Sequence, residues 1–184
     1  MRAIAAGADV STPTVEQAFG TKPELLKQVI DLAIAGDDDP VPVLARAAAA
    51  SAEAAVTVDE FLHFIAGVLT EAQQRSAQLV VVAFEAANAD PSLRPLVQQR
   101  LDQRFQTAGW IVDGIVKRSP LRPDVDRAHA VDTVWLLMEP VVFCRLTEDR
   151  HWNPDRYRHW FTKSVTHLLL PADAREAPTP RAQR

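Results

Sequence analysis

The sequence predicts an all-helical fold, and three observations carry that expectation. Alanine and leucine are abundant, whereas tyrosine occurs once and glycine six times in 184 residues. The apolar–polar alternation that marks half-buried strands is nearly absent. Helix-start chemistry, in contrast, recurs along the chain, each time ahead of apolar side chains spaced three and four apart.

Taken in order, the stretch VSTPTVEQAFGTK, from Val10 to Lys22, reads as a short helix followed at once by the cap of the next. Thr21 and Glu24 have capping-box spacing and open a segment through Leu25, Leu26, Val29, Ile30 and Ala33. Gly36 stands where that helix would stop, and Asp37, Asp38 and Asp39 before Pro40 form a polar joint. Thr57 and Glu60 repeat the box ahead of Phe61, Phe64, Ile65 and Val68. The run Leu79 to Phe84 has strand-like content, but good helix formers flank it and no second strand exists to pair with it, so it is assigned to helix. Asp90-Pro91 and Asn153-Pro154 each set a capping side chain before a proline at the first helical position. From Pro91 to about Arg118, the residues Val97, Leu101, Phe105, Ala108, Val112 and Ile115 recur at helical spacing. A further helix carries Ala128, Val131, Trp135, Met138 and Val142, and Pro140 must kink or split it. The last carries Tyr157, Trp160, Phe161, Val165, Leu168 and Leu169 before a Pro-, Ala- and Arg-rich tail that reads as disordered.

Composition narrows the function. A single cysteine, Cys144, excludes a disulfide framework and any cysteine-rich zinc site. No apolar run approaches the roughly 20 residues of a membrane span, and the N-terminus does not read as a secretory signal, so a cytoplasmic location is expected. The net charge of −4 means that any DNA contact must draw on locally concentrated basic residues. His63, His129, His151, His159 and His167 lack metal-ligand spacing, and neither a phosphate loop nor a nucleophile elbow is present. An enzyme is therefore not expected, nor a cofactor, a metal or a catalytic residue.

The segment Ile4 to Ile30, IAAGADVSTPTVEQAFGTKPELLKQVI, resembles the DNA-binding end of the tetracycline-repressor (TetR) family of bacterial regulators. That pattern runs Ile-Ala-x-x-Ala-Gly-Val-Ser, then Thr-hydrophobic-Tyr-x-x-Phe, then Lys and Leu-Leu. Ile4, Ala5, Ala8, Val10, Ser11, Thr14, Val15, Phe19, Lys22, Leu25 and Leu26 fall into it. The likeness extends less specifically to about Pro171. It implies two short helices packed through Val10, Val15 and Phe19, with Ser11 capping the second. Ser11, Thr12, Pro13, Thr14, Glu16 and Gln17 would meet the major groove and backbone, and Lys22 a phosphate.

Three departures stand out. Asp9 occupies the position usually held by glycine, and Glu16 that of a tyrosine. The family's first helix has no counterpart, since Met1 falls where the second begins. A chain starting there exposes the apolar side of Ile4, Val10 and Phe19, and a start codon placed too late is the expected reason. Through Ala35, three basic side chains (Arg2, Lys22, Lys27) meet four acidic ones (Asp9, Glu16, Glu24, Asp31), a net of −1.

The chain thus divides into a partial helix-turn-helix domain (1–36), a larger helical ligand-binding and dimerisation domain (37–171) and a tail (172–184). Two half-sites about 34 Å apart on DNA require a two-fold dimer. Its interface is expected on the helices of 124–147 and 154–170, through Trp135, Val142, Trp160 and Val165. A pocket for a small apolar or aromatic effector is expected from Phe61, Ile65, Phe84, Phe105, Ile111, Trp135 and Met138. The break at Glu139-Pro140 is expected to leave carbonyls free to meet that molecule. The resulting expectation is a ligand-responsive repressor bound to operator DNA as a homodimer. The alternative is a ligand-binding, dimerising protein of the same fold that has lost DNA binding.

Overall fold

The computed structural model describes residues 1–36 and 47–172, which contain helices and no strand. The polar joint at Asp37 to Pro40, the expected domain boundary beside it and nearly all of the expected tail lie outside those residues. The helices are α1 (Arg2–Gly7), α2 (Thr12–Phe19), α3 (Lys22–Ala35), α4 (Ala47–Ala54), α5 (Val58–Ala89), α6 (Arg94–Val116), α7 (Arg127–Leu137), α8 (Pro140–Cys144) and α9 (Pro154–Leu169). A 3₁₀ turn at Pro91–Leu93 leads into α6, and a π-helical turn at Arg145–Asp149 follows α8.

The helix starts form by the local chemistry that the sequence announces. Thr21 and Glu24 make both capping-box bonds, as do Thr57 and Glu60. Asn153 accepts from the Arg156 amide at 2.8 Å, satisfying one of the amides that a helix start leaves unpaired. Asp126 does the same for His129 at the head of α7. Gly36 ends α3 in left-handed geometry at φ 86°. The run Leu79 to Phe84 lies inside α5, as helix.

The 32-residue α5 organises the packing. Its first half, through Phe61, Leu62, Ile65 and Ala66, joins α4, α6, α7 and α9 in the largest core, with Val112, Ile115, Val134 and Phe161. Its second half, through Val80, Ala83 and Ala87, buries Ile30 of α3 together with Leu93 and Leu96. Between them, Ala77 meets Phe143 and Tyr157.

Pro140 splits the predicted helix into α7 and α8, because it has no amide to donate. The carbonyls at the break do not stay free, contrary to expectation. Leu136 O accepts from the Glu139 amide, Leu137 O from the Tyr157 hydroxyl and Met138 O from Gln73 Nε2 at 2.8 Å. The break is sealed by donors from α5 and α9. Phe105, assigned to the apolar stripe of α6, is 52% exposed, and the stripe is buried only from Ala108 onward.

Gly114 on α6 is buried because Phe61 fills the space that a side chain would need. A Cβ there would lie 2.8 Å from both Cε atoms of Phe61 and nearer still to Cζ. Gly114→Ala should therefore cost about 1–3 kcal/mol, the range for overpacking, seen as a lower urea midpoint. Gly67 on α5 has open space at the same position. Gly67→Ala should stabilise by about 0.5–1 kcal/mol through helix propensity alone. If both substitutions move the midpoint the same way, this account of the α5–α6 contact is wrong.

Candidate functional site

The segment singled out by sequence is built on two short helices. Asp9 joins them in left-handed geometry at φ 54°, a conformation that aspartate tolerates better than most residues. Ser11 caps α2, accepting from the Thr14 amide at 3.2 Å, and the two hydroxyls lie 2.8 Å apart. Ala5 and Val15 are the buried contacts of this pair. Val10 and Phe19, expected to pack it, remain 42% and 43% exposed, and Ile4 46%. Each of these helices makes only one or two turns and buries a single residue, Ala5 from α1 and Val15 from α2.

Ser11, Pro13, Thr14, Glu16, Gln17 and Lys22 are exposed, and Thr12 is partly so. The structure thus brings the seven predicted contact residues to the accessible side of α2 and the head of α3. Lys22 is not idle there. Its ammonium pairs with Asp90 Oδ2 at 2.9 Å, a carboxylate from the far end of α5. Lys27 pairs with Asp31 at 2.7 Å. Of the basic residues before Gly36, Arg2 alone has no ion pair among the described residues.

Behind this face, α3 is fastened to the rest of the chain. Ile30 is fully buried among residues of α5 and the turn after it. Arg75 of α5 donates to the carbonyls of Ala33 and Ile34 at 2.9 and 3.0 Å, closing the C-terminal end of α3. Asp31 takes a 2.6 Å bond from Arg100, which is itself buried. Partial burial raises the Asp31 carboxyl, but bonds from Lys27 and Arg100 outweigh that and hold it below the usual range. The Ser92 hydroxyl and then Lys22 hold Asp90 down at about 2.

Five of the seven residues expected to line a pocket meet in one packed core rather than around a cavity, and two lie elsewhere. Phe61, Ile65, Ile111 and Met138 are core residues with Trp135 packed against them, whereas Phe84 belongs to the separate core around Ile30. Phe105 is on the surface. A cleft of about 170 Å³ does open between α4, α5 and α6, and of the seven it uses Phe61. Phe61 and Trp110 form its aromatic side, with centroids 5.9 Å apart. Glu53, Asp113, Lys117 and Arg118 form its polar side. The Arg118 guanidinium lies 4.5 Å over the Phe61 ring and donates to carbonyls of Ala52, Glu53, Ala55 and Gly114. Nothing in the sequence pattern announced this arginine, because three of its four partners are backbone carbonyls more than 60 residues away.

Trp135, expected in both pocket and interface, packs under the Arg104 guanidinium at 4.5 Å. Arg104 in turn pairs with Glu139 at the helix break. Burial pushes the Arg104 guanidinium down while Glu139 pulls it back up. Val142 and Trp160 are partly exposed, as an interface requires. Val165 must be removed from that surface, since it is wholly buried inside the single chain. Leu136 and Leu168, 58% and 46% exposed, are the apolar side chains that α7 and α9 do present. All five histidines are exposed, and no three His, Cys, Asp or Glu side chains among the described residues gather at metal-binding distance. No described helix is long and apolar enough to cross a membrane.

Comparison with protein families, curated proteins and solved structures finds no match to this chain.

Asp31 and Asp90 are both depressed in the folded chain, so their ties contribute fully above the unfolded value of about 3.9. They are lost as pH falls through the folded values, about 2 for Asp90. Protection of the α3 amides against hydrogen exchange should fall across that window while that of α9 holds. A carboxyl titration by NMR should place Asp90 near 2, and a midpoint at the ordinary aspartate value would show that neither the Ser92 bonds nor the pair with Lys22 forms.

Proposed function

We propose that this chain is a ligand-responsive transcriptional regulator of the tetracycline-repressor type, a repressor that binds operator DNA as a homodimer. One observation carries the reading: a Ser11-capped helix, set behind a shorter one by the left-handed Asp9, with its polar residues outward. The first two turns of α2 offer Thr12, Pro13, Thr14, Glu16 and Gln17 to a groove, and Lys22 follows at the head of α3. Glu16 beside phosphates is repulsive unless it accepts from a cytosine amino group, so it would favour sites with cytosine at that position.

The larger half supplies the switch. The cleft at Phe61 and Trp110 suits a small aromatic effector with a polar edge. Its occupation acts on DNA binding by the difference in its affinity for the two dimer geometries, and by no more than that. Dimerisation uses α7, α8 and α9, with Trp160 and Val142 joined by Leu136 and Leu168. A cytoplasmic location goes with this role.

A second reading, a sensor of the same fold without DNA binding, is favoured by a specific observation. Lys22 and Lys27 are both neutralised within the chain, and the carboxylate of Glu16 on α2 stands exposed. Salt separates the two readings. Anisotropy of a labelled mixed-sequence duplex should show affinity that falls steeply, linearly in log salt, as phosphate contacts demand. A protein with no affinity even at the lowest salt belongs to the second reading.

The dimer can be tested apart from DNA. Leu136→Glu combined with Leu168→Glu should halve the mass seen in sedimentation while leaving helicity intact. A parent protein that sediments as a monomer at every concentration removes the two-fold geometry on which operator reading depends.

A further inference from the structure

The positive charge offered by the head of α3 is answered from inside the chain, 68 residues away. Asp90 closes α5 and spends its two oxygens separately. Oδ1 accepts from the Ser92 amide at 3.1 Å and the Ser92 hydroxyl at 2.6 Å, which fixes the carboxylate to its own turn. Oδ2 is left for Lys22 Nζ at 2.9 Å. The two partners are also held in register by packing. Leu93 in that turn is fully buried in the same core as Ile30 of α3, and the Thr21–Glu24 capping box fixes the backbone from which the lysine extends. The lysine side chain nevertheless keeps 55% of its surface open, so a phosphate can reach it.

We infer that Asp90 is a built-in competitor of the DNA phosphate for Lys22. This rests on the DNA-reading assignment above. In the unbound protein Asp90 occupies the lysine, and each protomer must exchange that carboxylate for a phosphate on binding. The exchange weakens binding, and it also changes the salt dependence. A lysine that meets a phosphate releases about one condensed cation, but the Asp90 it abandons takes a cation back from solution. The salt slope is therefore shallower than the number of phosphate contacts would give.

The test is a double-mutant cycle on the full chain with Asp90→Asn, Lys22→Gln and both together. Asparagine keeps an oxygen for the Ser92 amide, so the turn stays capped, and circular dichroism checks that each variant is folded. The probe is a labelled mixed-sequence duplex of about three helical turns, titrated over a range of salt. Asp90→Asn should bind about two- to five-fold more tightly per protomer, the range for an exposed ion pair, with a slope steeper by up to about one per lysine. In the Lys22→Gln background the same change should have no effect. Equal affinity of parent and Asp90→Asn overturns the inference while leaving the regulator reading in place. So does a gain that persists without Lys22, because that is general loss of negative charge. Absence of binding by parent and variant alike overturns the regulator reading, and the competition with it.

Discussion

A helix of 32 residues, about 48 Å long at 1.5 Å per residue, cannot bury its surface against one neighbour. In this chain α5 solves that problem in three consecutive lengths, two of them apolar and the middle one small or polar. Large apolar residues from Phe61 to Ile65 build the main core with α6, α7 and α9. Then Thr70, Gln73, Ser76 and Ala77 follow, small or polar yet buried. Only at Val80 does the face become apolar again, to take α3. The other helices are placed by which length of this rod they cover.

The middle length explains how the chain tolerates Pro140 inside its bundle. A proline in a helix interior leaves carbonyls without donors, at a cost of 3 kcal/mol or so. Here the small residues of α5 let α8 approach, and Gln73 reaches the Met138 carbonyl from within the core. Tyr157, buried from α9, supplies the donor for Leu137. The same break that the sequence suggests as a ligand contact is a closed structural joint. The cleft lies elsewhere, at the start of α5, where Arg118 ties α4 down beside Phe61 and Trp110.

What was legible in the sequence follows from the range of the interactions concerned. Capping boxes at Thr21 and Thr57, the stop at Gly36, the turn at Asp9 and the split at Pro140 are settled within four residues, and each appears where its chemistry places it. Helical spacing also puts Ile30, Phe61 and Phe161 on inward faces. It fails for Phe105 and Val165, because a stripe gives a face without saying whether a neighbour covers it. Trp160 and Val165 both belong to the apolar set of α9, yet the first stays partly exposed while the second is wholly buried in the main core. Long pairings such as Lys22 with Asp90 or Arg118 with the end of α4 have no local signature. Asp90 is readable as a cap and, from sequence, as nothing more.

The attachment of α3 bears on how the two ends of the chain communicate under the proposed reading. Phe61, at the cleft, and Ala83, beside Ile30, are 22 residues apart on one helix, about 33 Å. The helix itself is the element that spans that distance. α1 and α2 pack chiefly on each other and on α3, whereas α3 is held by a buried isoleucine, by Arg75 at its end and by Arg100 at its middle. Under that reading a change at the cleft would reach α2 as a tilt of α5 carrying α3 with it, a rigid-body motion of the kind packed interfaces allow. A small rotation at one end becomes a displacement of ångströms at the other. Two half-sites in a dimer would feel that displacement twice and in opposite directions, which is what changes the spacing between them.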